Sequence, residues 1–318
     1  MAPSVYGRSA VRDHNRAPNP RSLPRTISTP RVWFVTGASR GLGAAIVRAV
    51  LDRGDRVVAA ARDRTVLTEA FGPDSDRLLS VSLDVTDEAA ARSAVDAAVA
   101  AFGRVDVLVN NAGYGHLSVF EESTAEDARA QYYTNVFGLM HVTRAVLPVM
   151  RAQRAGRVFN VSSVGGIVGG PSGTLYCASK FAVEGFSESL AGEVAPFGIQ
   201  VTIVEPGFFR TDFLEPTSVK YGSAPIADYA EASAALKGFY DSRSRNQAGD
   251  PYRLGQALIT LADAVQQPTR WCAGTDAVGM VQAKIDSLQV ELDAWRALSL
   301  GTDGDFEFRE EAGSSAWG

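Results

Sequence analysis

The chain has 318 residues, of which 46% are hydrophobic and 21% are charged, and its formal net charge is -5. This composition is ordinary for a globular protein, and the length allows one large α/β domain or two modest ones. An acidic balance gives no reason to expect nucleic acid or a membrane as partner, and no apolar run approaches the ~20 residues of a membrane span. Two cysteines, Cys177 and Cys272, form neither a metal pattern nor a disulfide framework, which favours a cytoplasmic protein.

Both ends of the chain lack the apolar periodicity of packed elements. Residues 1–30 hold five Arg, five Pro and a single Asp, and they predict a disordered tail without the apolar segment of a secretory signal. Residues 301–318 predict a frayed tail. Residues 31–300 are therefore predicted to form a single domain.

Six apolar, β-rich segments alternate with helical segments between residues 31 and 206. The strands are predicted at RVWFVTG, RVVAAAR, LLSVSLDV, VDVLVNNAG, GRVFNVSS and IQVTIVEPG. The longer helices are predicted over 87–101, 124–153 and 174–195. Strand alternating with helix predicts a doubly wound parallel sheet with helices on both faces, a Rossmann-like α/β fold.

The regular alternation stops after Pro206. Residues 208–249 begin with two Phe, hold several Pro and Gly, and contain one short Ala-rich helix. An irregular insert of this length is typical of a substrate lid. A helix opening at Asp250, a short strand at 270–273 and a helix over 276–298 complete the predicted fold.

The first predicted strand runs into a glycine-rich turn, TGASRGLG. Glycine lets a backbone turn sharply and approach a ligand closely, and the helix that follows points its free N–H groups at the same space. The spacing is G-x-x-x-G-x-G, and its position between an apolar strand and an amphipathic helix predicts a pyrophosphate site. The predicted cofactor contacts in this turn are Gly37, Ser39, Arg40, Gly41, Leu42 and Gly43.

The second strand ends in AAARDR, where NAD enzymes usually place a carboxylate for the ribose 2′-OH. Here that place holds Ala61, followed by Arg62, and Arg40 lies in the glycine-rich turn. Two guanidiniums near the adenosine ribose would pair with a 2′-phosphate, so the sequence predicts NADP(H) over NAD(H). Asp63 leaves room for NAD.

Two further strands end in short polar or backbone-rich segments. The third ends at Asp84 and Val85, and the fourth runs into NNAG. Because strand carboxyl ends line the ligand crevice of such sheets, these segments are predicted to contact adenine and ribose. The contacts predicted there are Asp84, Val85, Asn111, Ala112 and Gly113.

In their order along residues 31–212, the motifs TGASRGLG, NNAG, NVSS, YCASK and PGFFRT resemble the short-chain dehydrogenases/reductases. The resemblance implies a catalytic set of four residues and further cofactor contacts near the insert. Ser163 matches the catalytic serine, with neighbouring Ser162 as the possible misassignment. The implied catalytic residues are Asn135, Ser163, Tyr176 and Lys180, and the additional cofactor contacts are Tyr176, Lys180, Pro206, Gly207 and Thr211.

Tyr176 and Lys180 lie four residues apart and so share one face of a helix. A phenol titrates near pH ~10, too high to exchange protons readily at neutral pH. We expect the Lys180 ammonium, and the cationic nicotinamide when oxidised, to lower the Tyr176 pKa, so that the phenol acts as general acid or base while Lys180 holds the nicotinamide ribose. Ser163 would bind the substrate oxygen, and Asn135 would hold a water linked to Lys180.

The sequence therefore predicts an NADP-dependent oxidoreductase that interconverts a ketone or aldehyde and an alcohol, without a metal. The alternatives are an NAD-dependent enzyme of the same fold and a non-catalytic dinucleotide sensor. The segments predicted around the substrate are mostly apolar, which favours a hydrophobic small molecule. These segments are Tyr114–Leu117, Gly165–Gly170, and Phe208, Phe209, Phe213 and Leu214, although His116 itself is predicted on a surface loop. The resemblance also implies a homodimer or homotetramer formed through the helices that flank the sheet.

Overall fold

The computed structural model describes residues 30–304, and the predicted tails lie outside this range except for Pro30 and residues 301–304. Seven strands form the main sheet, and two short ones pair separately. In chain order the strands are β1 Val32–Thr36, β2 Arg56–Ala61, β3 Leu78–Ser82, β4 Val107–Asn110, β5 Gly115–His116, β6 Gly156–Val161, β7 Ile199–Pro206, β8 Val219–Lys220 and β9 Arg270–Ala273.

Helices connect the strands, and several begin at a side chain that accepts their first N–H groups. Asp63, Asp87 and Asp250 cap three of them, while Thr124 and Asp127 form a capping box on a fourth. The helices are α1 Gly41–Arg53, α2 Arg64–Phe71, α3 Glu88–Phe102, α4 Ala125–Tyr132, α5 Leu139–Gln153, α6 Thr174–Val194, α7 Ala230–Arg243, α8 Pro251–Asp263 and α9 Thr275–Leu300.

The main sheet is parallel throughout, in the order β3-β2-β1-β4-β6-β7-β9. The strand order reverses between β1 and β4, which opens a crevice at the carboxyl ends of those two strands. The prediction of a doubly wound, Rossmann-like sheet is therefore confirmed.

The sheet buries apolar side chains on both faces. Along β1, Val32 and Phe34 join the cluster beneath α3, α5 and α6, whereas Trp33 and Val35 join the one beneath α1, α2 and α8. This alternation with a period of two residues is what a strand covered on both faces requires. Helices thus cover both faces of the sheet, and the predicted site residues lie at its carboxyl edge.

The structure also differs from the sequence prediction in the connecting segments. The helix predicted over 124–153 is interrupted by a π-helical turn, Tyr133–Gly138, between α4 and α5. The insert 208–249 contributes β8 and α7, and β8 pairs with β5. Within residues 30–304 no helix combines the length and apolar character needed to cross a membrane.

Candidate active site

The glycine-rich turn leads from the end of β1 into α1. Gly37 has φ +62°, a left-handed conformation that favours glycine, and a side chain at Gly43 would place its Cβ 2.2 Å from the Gly37 carbonyl oxygen. Helix α1 has no side-chain cap and no acidic residue in its first turn. Its first N–H groups are therefore available to an anion, as a pyrophosphate site requires.

Asn111 and Thr36 tie the end of β4 to this turn. The Asn111 side-chain amide donates to the carbonyls of Thr36 at 3.0 Å and Gly37 at 3.1 Å. The Thr36 hydroxyl accepts from the main-chain N–H groups of Asn111 and Ala112, both at 3.0 Å. The Asn111 side chain thus positions the turn. Thr36 joins the turn to the end of β4, a role that the sequence did not predict. A polar residue ending a buried strand before a glycine was the available signal.

At the adenosine end, Ala61 closes β2 and Arg62 is exposed beside it. One carboxylate oxygen of Asp63 accepts from the main-chain N–H and the hydroxyl of Thr65, so Asp63 serves as the cap of α2. The Asp84 pKa is raised by burial, but hydrogen bonds from Thr86 and the nearby Arg62 guanidinium outweigh this effect and lower it. The strand ends therefore present a cation and an ionised carboxylate to the crevice.

Arg40 contacts the insert. Its Nε lies 3.4 Å from the Asp212 carboxylate, and its Nη2 donates to the Thr217 carbonyl at 2.9 Å. Thr211 caps the short turn that carries Asp212, accepting from the Phe213 N–H at 3.2 Å. The predicted role of Arg40 toward a 2′-phosphate would require its contacts with the insert to open.

The serine after β6 and the tyrosine of α6 come together beside Gly165. A Cβ on Gly165 would lie 3.3 Å from Cε1 of Tyr176 and 3.4 Å from Oγ of Ser163. Ser162 is instead buried beneath α6, where its hydroxyl donates to the Lys180 carbonyl at 3.5 Å. The geometry therefore places Ser163, and not Ser162, next to the phenol.

Lys180 is buried one helical turn beyond Tyr176 on α6. The Nζ donates to the Val161 carbonyl at 2.9 Å and lies 5.8 Å from the centre of the Tyr176 ring. Burial lowers the Lys180 pKa to about 8, against a smaller opposing effect of Glu184. A Cβ on Gly113 would lie 3.8 Å from this Nζ, so the NNAG segment adjoins the amine.

The prediction that Lys180 lowers the Tyr176 pKa is wrong for the protein without a cofactor. Burial raises the Tyr176 pKa, and the hydrogen-bonding effect of Ser163 only partly offsets this rise. A low-dielectric environment disfavours both the phenolate and the ammonium. Burial therefore raises the Tyr176 pKa and lowers the Lys180 pKa, and each shift favours the neutral form. The phenol is therefore a proton donor in its resting state.

Asn135 lies in the π-helical turn and is 2% exposed. Its side-chain nitrogen donates to the Tyr114 carbonyl at 3.0 Å and to the Ser179 hydroxyl at 3.1 Å, and its oxygen accepts from the Tyr114 N–H at 3.1 Å. Both amide donors are thus used, which leaves one acceptor position on the oxygen. Asn135 fastens the loop after NNAG to α6, and its predicted contact with a water stays a prediction.

The other predicted cofactor residues lie along the same crevice. Val85 is buried and its carbonyl faces the His141 ring at 3.0 Å. Gly207 follows β7, where a Cβ would lie 2.3 Å from the Asp276 carboxylate, and that carboxylate accepts from the Phe208 N–H at 2.7 Å. Asp276, at the start of α9, is a second residue that the sequence reading missed.

Apolar side chains surround Tyr176 on the insert side. Its ring centre lies 6.0 Å from that of Phe213, and both pack with Leu117, Leu214 and Val219. A cavity of about 390 Å³, bounded partly by Leu117, opens beyond this cluster. Another, of about 400 Å³, lies beside α1 and away from Tyr176, lined by Gly41, Ala45, Arg48, Arg210, Thr211, Asp212, Asp250, Pro251 and Tyr252.

Two expectations for the substrate side are wrong. Phe209 packs against the core beneath α1 and α8, whereas Phe213 packs in the separate cluster with Tyr176. His116 is 2% exposed because it belongs to β5, and its Nε2 lies 3.1 Å from the Ser123 hydroxyl. No group of His, Cys, Asp and Glu within residues 30–304 has the arrangement of a metal site.

Known proteins share this fold and much of this sequence. The family model for short chain dehydrogenase matches residues 31–222. Oxidoreductase BOA17 of Botryotinia fuckeliana is 38% identical over 86% of this chain and 99% of its own length. A 3-ketodihydrosphingosine reductase of Bacteroides thetaiotaomicron is 36% identical over 77% of this chain and 88% of its own.

Solved structures agree with these matches. A short-chain dehydrogenase from Streptomyces avermitilis superposes with a TM-score of 0.78 at 40% identity, covering 87% of this chain and all of that one. A Brucella melitensis 3-ketoacyl-(acyl-carrier-protein) reductase, complexed with NADH, gives 0.65 at 28% identity over 76% and 96% of the two chains. ElxO, with NADP bound, gives 0.66 at 23% over 79% and 100%. By sequence and by fold, the chain belongs to the short-chain dehydrogenases, a family of oxidoreductases.

Proposed function

We propose that the protein is an NADP(H)-dependent oxidoreductase that interconverts a ketone or aldehyde and an alcohol on a hydrophobic small molecule. The observation that carries the proposal is the convergence of Ser163, Tyr176 and Lys180 at the same sheet edge as the glycine-rich turn. A protein that only binds a dinucleotide needs no phenol beside a serine hydroxyl and an amine at this place.

The crevice fits a dinucleotide. The uncapped N-terminus of α1 would hold the pyrophosphate, and the close approach between Gly43 and Gly37 leaves the turn bare of side chains. Arg62, exposed at the end of β2, supports NADP because it would pair with a 2′-phosphate. The capping bonds of Asp63 engage one of its oxygens and make it a weaker candidate for the ribose hydroxyl of NAD.

The chain's own groups manage the proton and the substrate oxygen. When bound, the nicotinamide supplies or accepts the hydride. The Ser163 hydroxyl and the Tyr176 phenol would both hydrogen-bond the substrate oxygen, which fixes the carbonyl in position. As negative charge develops on that oxygen, the Tyr176 O–H bond breaks and its proton forms the new alcohol O–H bond, leaving a phenolate. The neighbouring Lys180 ammonium stabilises that phenolate.

The substrate class follows from the lining of the insert side. Phe213, Leu117, Leu214 and Val219 offer apolar and aromatic surface next to Tyr176. Such a surface favours a hydrophobic carbonyl compound over a sugar phosphate. The name of the Bacteroides relative, 3-ketodihydrosphingosine reductase, supports a keto compound as substrate.

The Tyr176→Phe variant tests the proposal, with Tyr133→Phe, an exposed tyrosine on the π-helical turn, as the matched control. Turnover of a panel of hydrophobic ketones and aldehydes is measured from the loss of NADPH absorbance. Removing the proton donor should lower kcat about 10²- to 10⁴-fold, whereas the NADPH dissociation constant should change less than about twofold. Turnover by Tyr176→Phe within about threefold of the control would show that another group supplies the proton.

A further inference from the structure

Helix α9 runs far beyond its contacts with the rest of the protein. Its first turns pack on the body through Ala277, which is fully buried, whereas Val281 and Lys284 stay partly exposed. Every residue from 285 to 300 is exposed, a length of about 24 Å of helix. A helix with so little tertiary packing is marginal in water, so it needs another surface to cover its apolar side chains.

The apolar side chains of α9 follow a heptad repeat. One set recurs every seven residues, and a second set follows it by three residues, which is the spacing of the a and d positions of a coiled coil. The a positions are Val278, Ile285 and Leu292, and the d positions are Val281, Leu288 and Trp295. Except for Val281, each of these residues is at least half exposed within residues 30–304. We call these six residues the α9 seam.

The charged residues beside the α9 seam indicate which partner covers it. Lys284 and Glu291 hold successive g positions, and neither has an ion-pair partner within residues 30–304. In an antiparallel pair of identical helices with Ile285 opposite Leu288 of the second copy, each Lys284 faces a Glu291 across the seam. The same alignment sets bulky Trp295 opposite the smaller Val278. A parallel pair would instead set Lys284 opposite the neutral Gln289 and Glu291 opposite Arg296, whose guanidinium already pairs with Asp293 at 2.6 Å on its own helix.

We propose that the α9 seam is an interface with a second copy of this chain, formed as a two-stranded antiparallel coiled coil. The heptad spacing makes the α9 seam self-complementary. The Lys284–Glu291 contacts, made twice by symmetry, fix the register of the two helices. The interface is formed by α9 and not by the other helices that flank the sheet, so it adds to any association through those helices.

Sedimentation of the full-length chain tests the interface. Leu288→Asp buries a charge in the seam and should halve the mass of the largest species, while circular dichroism stays that of the folded protein. Asp286→Lys, on the outer face of the same helix, is the matched control and should leave the mass unchanged. The proposal is overturned if Leu288→Asp has the same mass as the wild type. That result includes a wild type that is monomeric and one whose α9 seam is covered by its own chain.

Charge exchange tests the antiparallel register. Lys284→Glu and Glu291→Lys each convert two attractions into two repulsions, and each should raise the dissociation constant of the dimer about tenfold. The double variant Lys284→Glu with Glu291→Lys should restore the wild-type value. No effect of Lys284→Glu alone, or no recovery in the double variant, would overturn the antiparallel pairing.

Discussion

The contact between α1 and the glycine-rich turn gives a prediction with a calculable size. In Gly43→Ala the new Cβ would lie 2.2 Å from the Gly37 carbonyl oxygen and 2.6 Å from the Asn111 side-chain nitrogen. Neither neighbour is free to retreat, because Gly37 is main chain and Asn111 is bound to the Thr36 and Gly37 carbonyls. An ordinary contact of 3.4 Å therefore requires α1 to shift by about 1.2 Å relative to the turn.

That shift sets the expected losses. Overpacking of this kind costs about 1–3 kcal/mol in the free energy of unfolding, and the better helix propensity of alanine returns less than about 1 kcal/mol. A net loss of about 1–2 kcal/mol corresponds to a fall in Tm of about 2–4 °C for a domain of roughly 270 residues. The displaced α1 N-terminus would no longer meet the pyrophosphate, so NADPH affinity should fall at least about tenfold.

The assay compares Gly43→Ala with Gly192→Ala, since Gly192 lies inside α6 and an added Cβ there would meet no neighbouring heavy atom within 4 Å. Thermal unfolding and NADPH fluorescence titration are measured for both variants. The control should keep wild-type affinity and gain up to about 1 kcal/mol of stability. Gly43→Ala with wild-type Tm and wild-type NADPH affinity would refute the claim that this close approach builds the cofactor site.

Two further predictions concern charged groups. Arg62→Ala should weaken NADPH binding about 10- to 100-fold but NADH binding less than about twofold, and equal losses in titrations of both would remove the argument for a 2′-phosphate. Burial raises the Glu184 pKa from 4.5 to about 7, so the folded chain keeps a proton that the unfolded chain releases between those pH values. The free energy of unfolding should therefore fall by up to about 3 kcal/mol as the pH rises through this window. Glu184→Gln should flatten that dependence in urea unfolding at pH 5 and pH 8, and parallel curves for both proteins would contradict it.

The sheet could be predicted from the sequence because its signals are local. Each strand of the main sheet is a short apolar run bounded by polar or glycine-rich residues, and α1, α2 and α3 end at Gly54, Gly72 and Gly103. The π-helical turn at Tyr133–Gly138 and the pairing of β5 with β8 were not predictable in this way. Both depend on contacts between segments distant in sequence, which also explains why His116 is buried.

The same limit applies to the site. The residues of the catalytic set can be recognised in the sequence because Tyr176 and Lys180 are one helical turn apart and the serine follows a strand. Whether Arg40 faces a cofactor or Asp212, and which serine meets the phenol, is decided by how the insert and α6 lie over the sheet. The pKa of Tyr176 depends on burial by Phe213 and its neighbours, which no spacing in the sequence encodes.

Burial of the Tyr176–Lys180 pair has a consequence for the direction of the proposed reaction. With its pKa raised, Tyr176 holds its proton at neutral pH, while Lys180, with a pKa of about 8, remains mostly charged. The resting site therefore already has the donor that carbonyl reduction needs and the cation that would stabilise the resulting phenolate. Alcohol oxidation would have to begin from that phenolate, whose formation in the buried site costs free energy before any substrate reacts. The protonation states of the site without a cofactor therefore match those that carbonyl reduction needs, and in alcohol oxidation the cationic nicotinamide, when bound, would favour the phenolate.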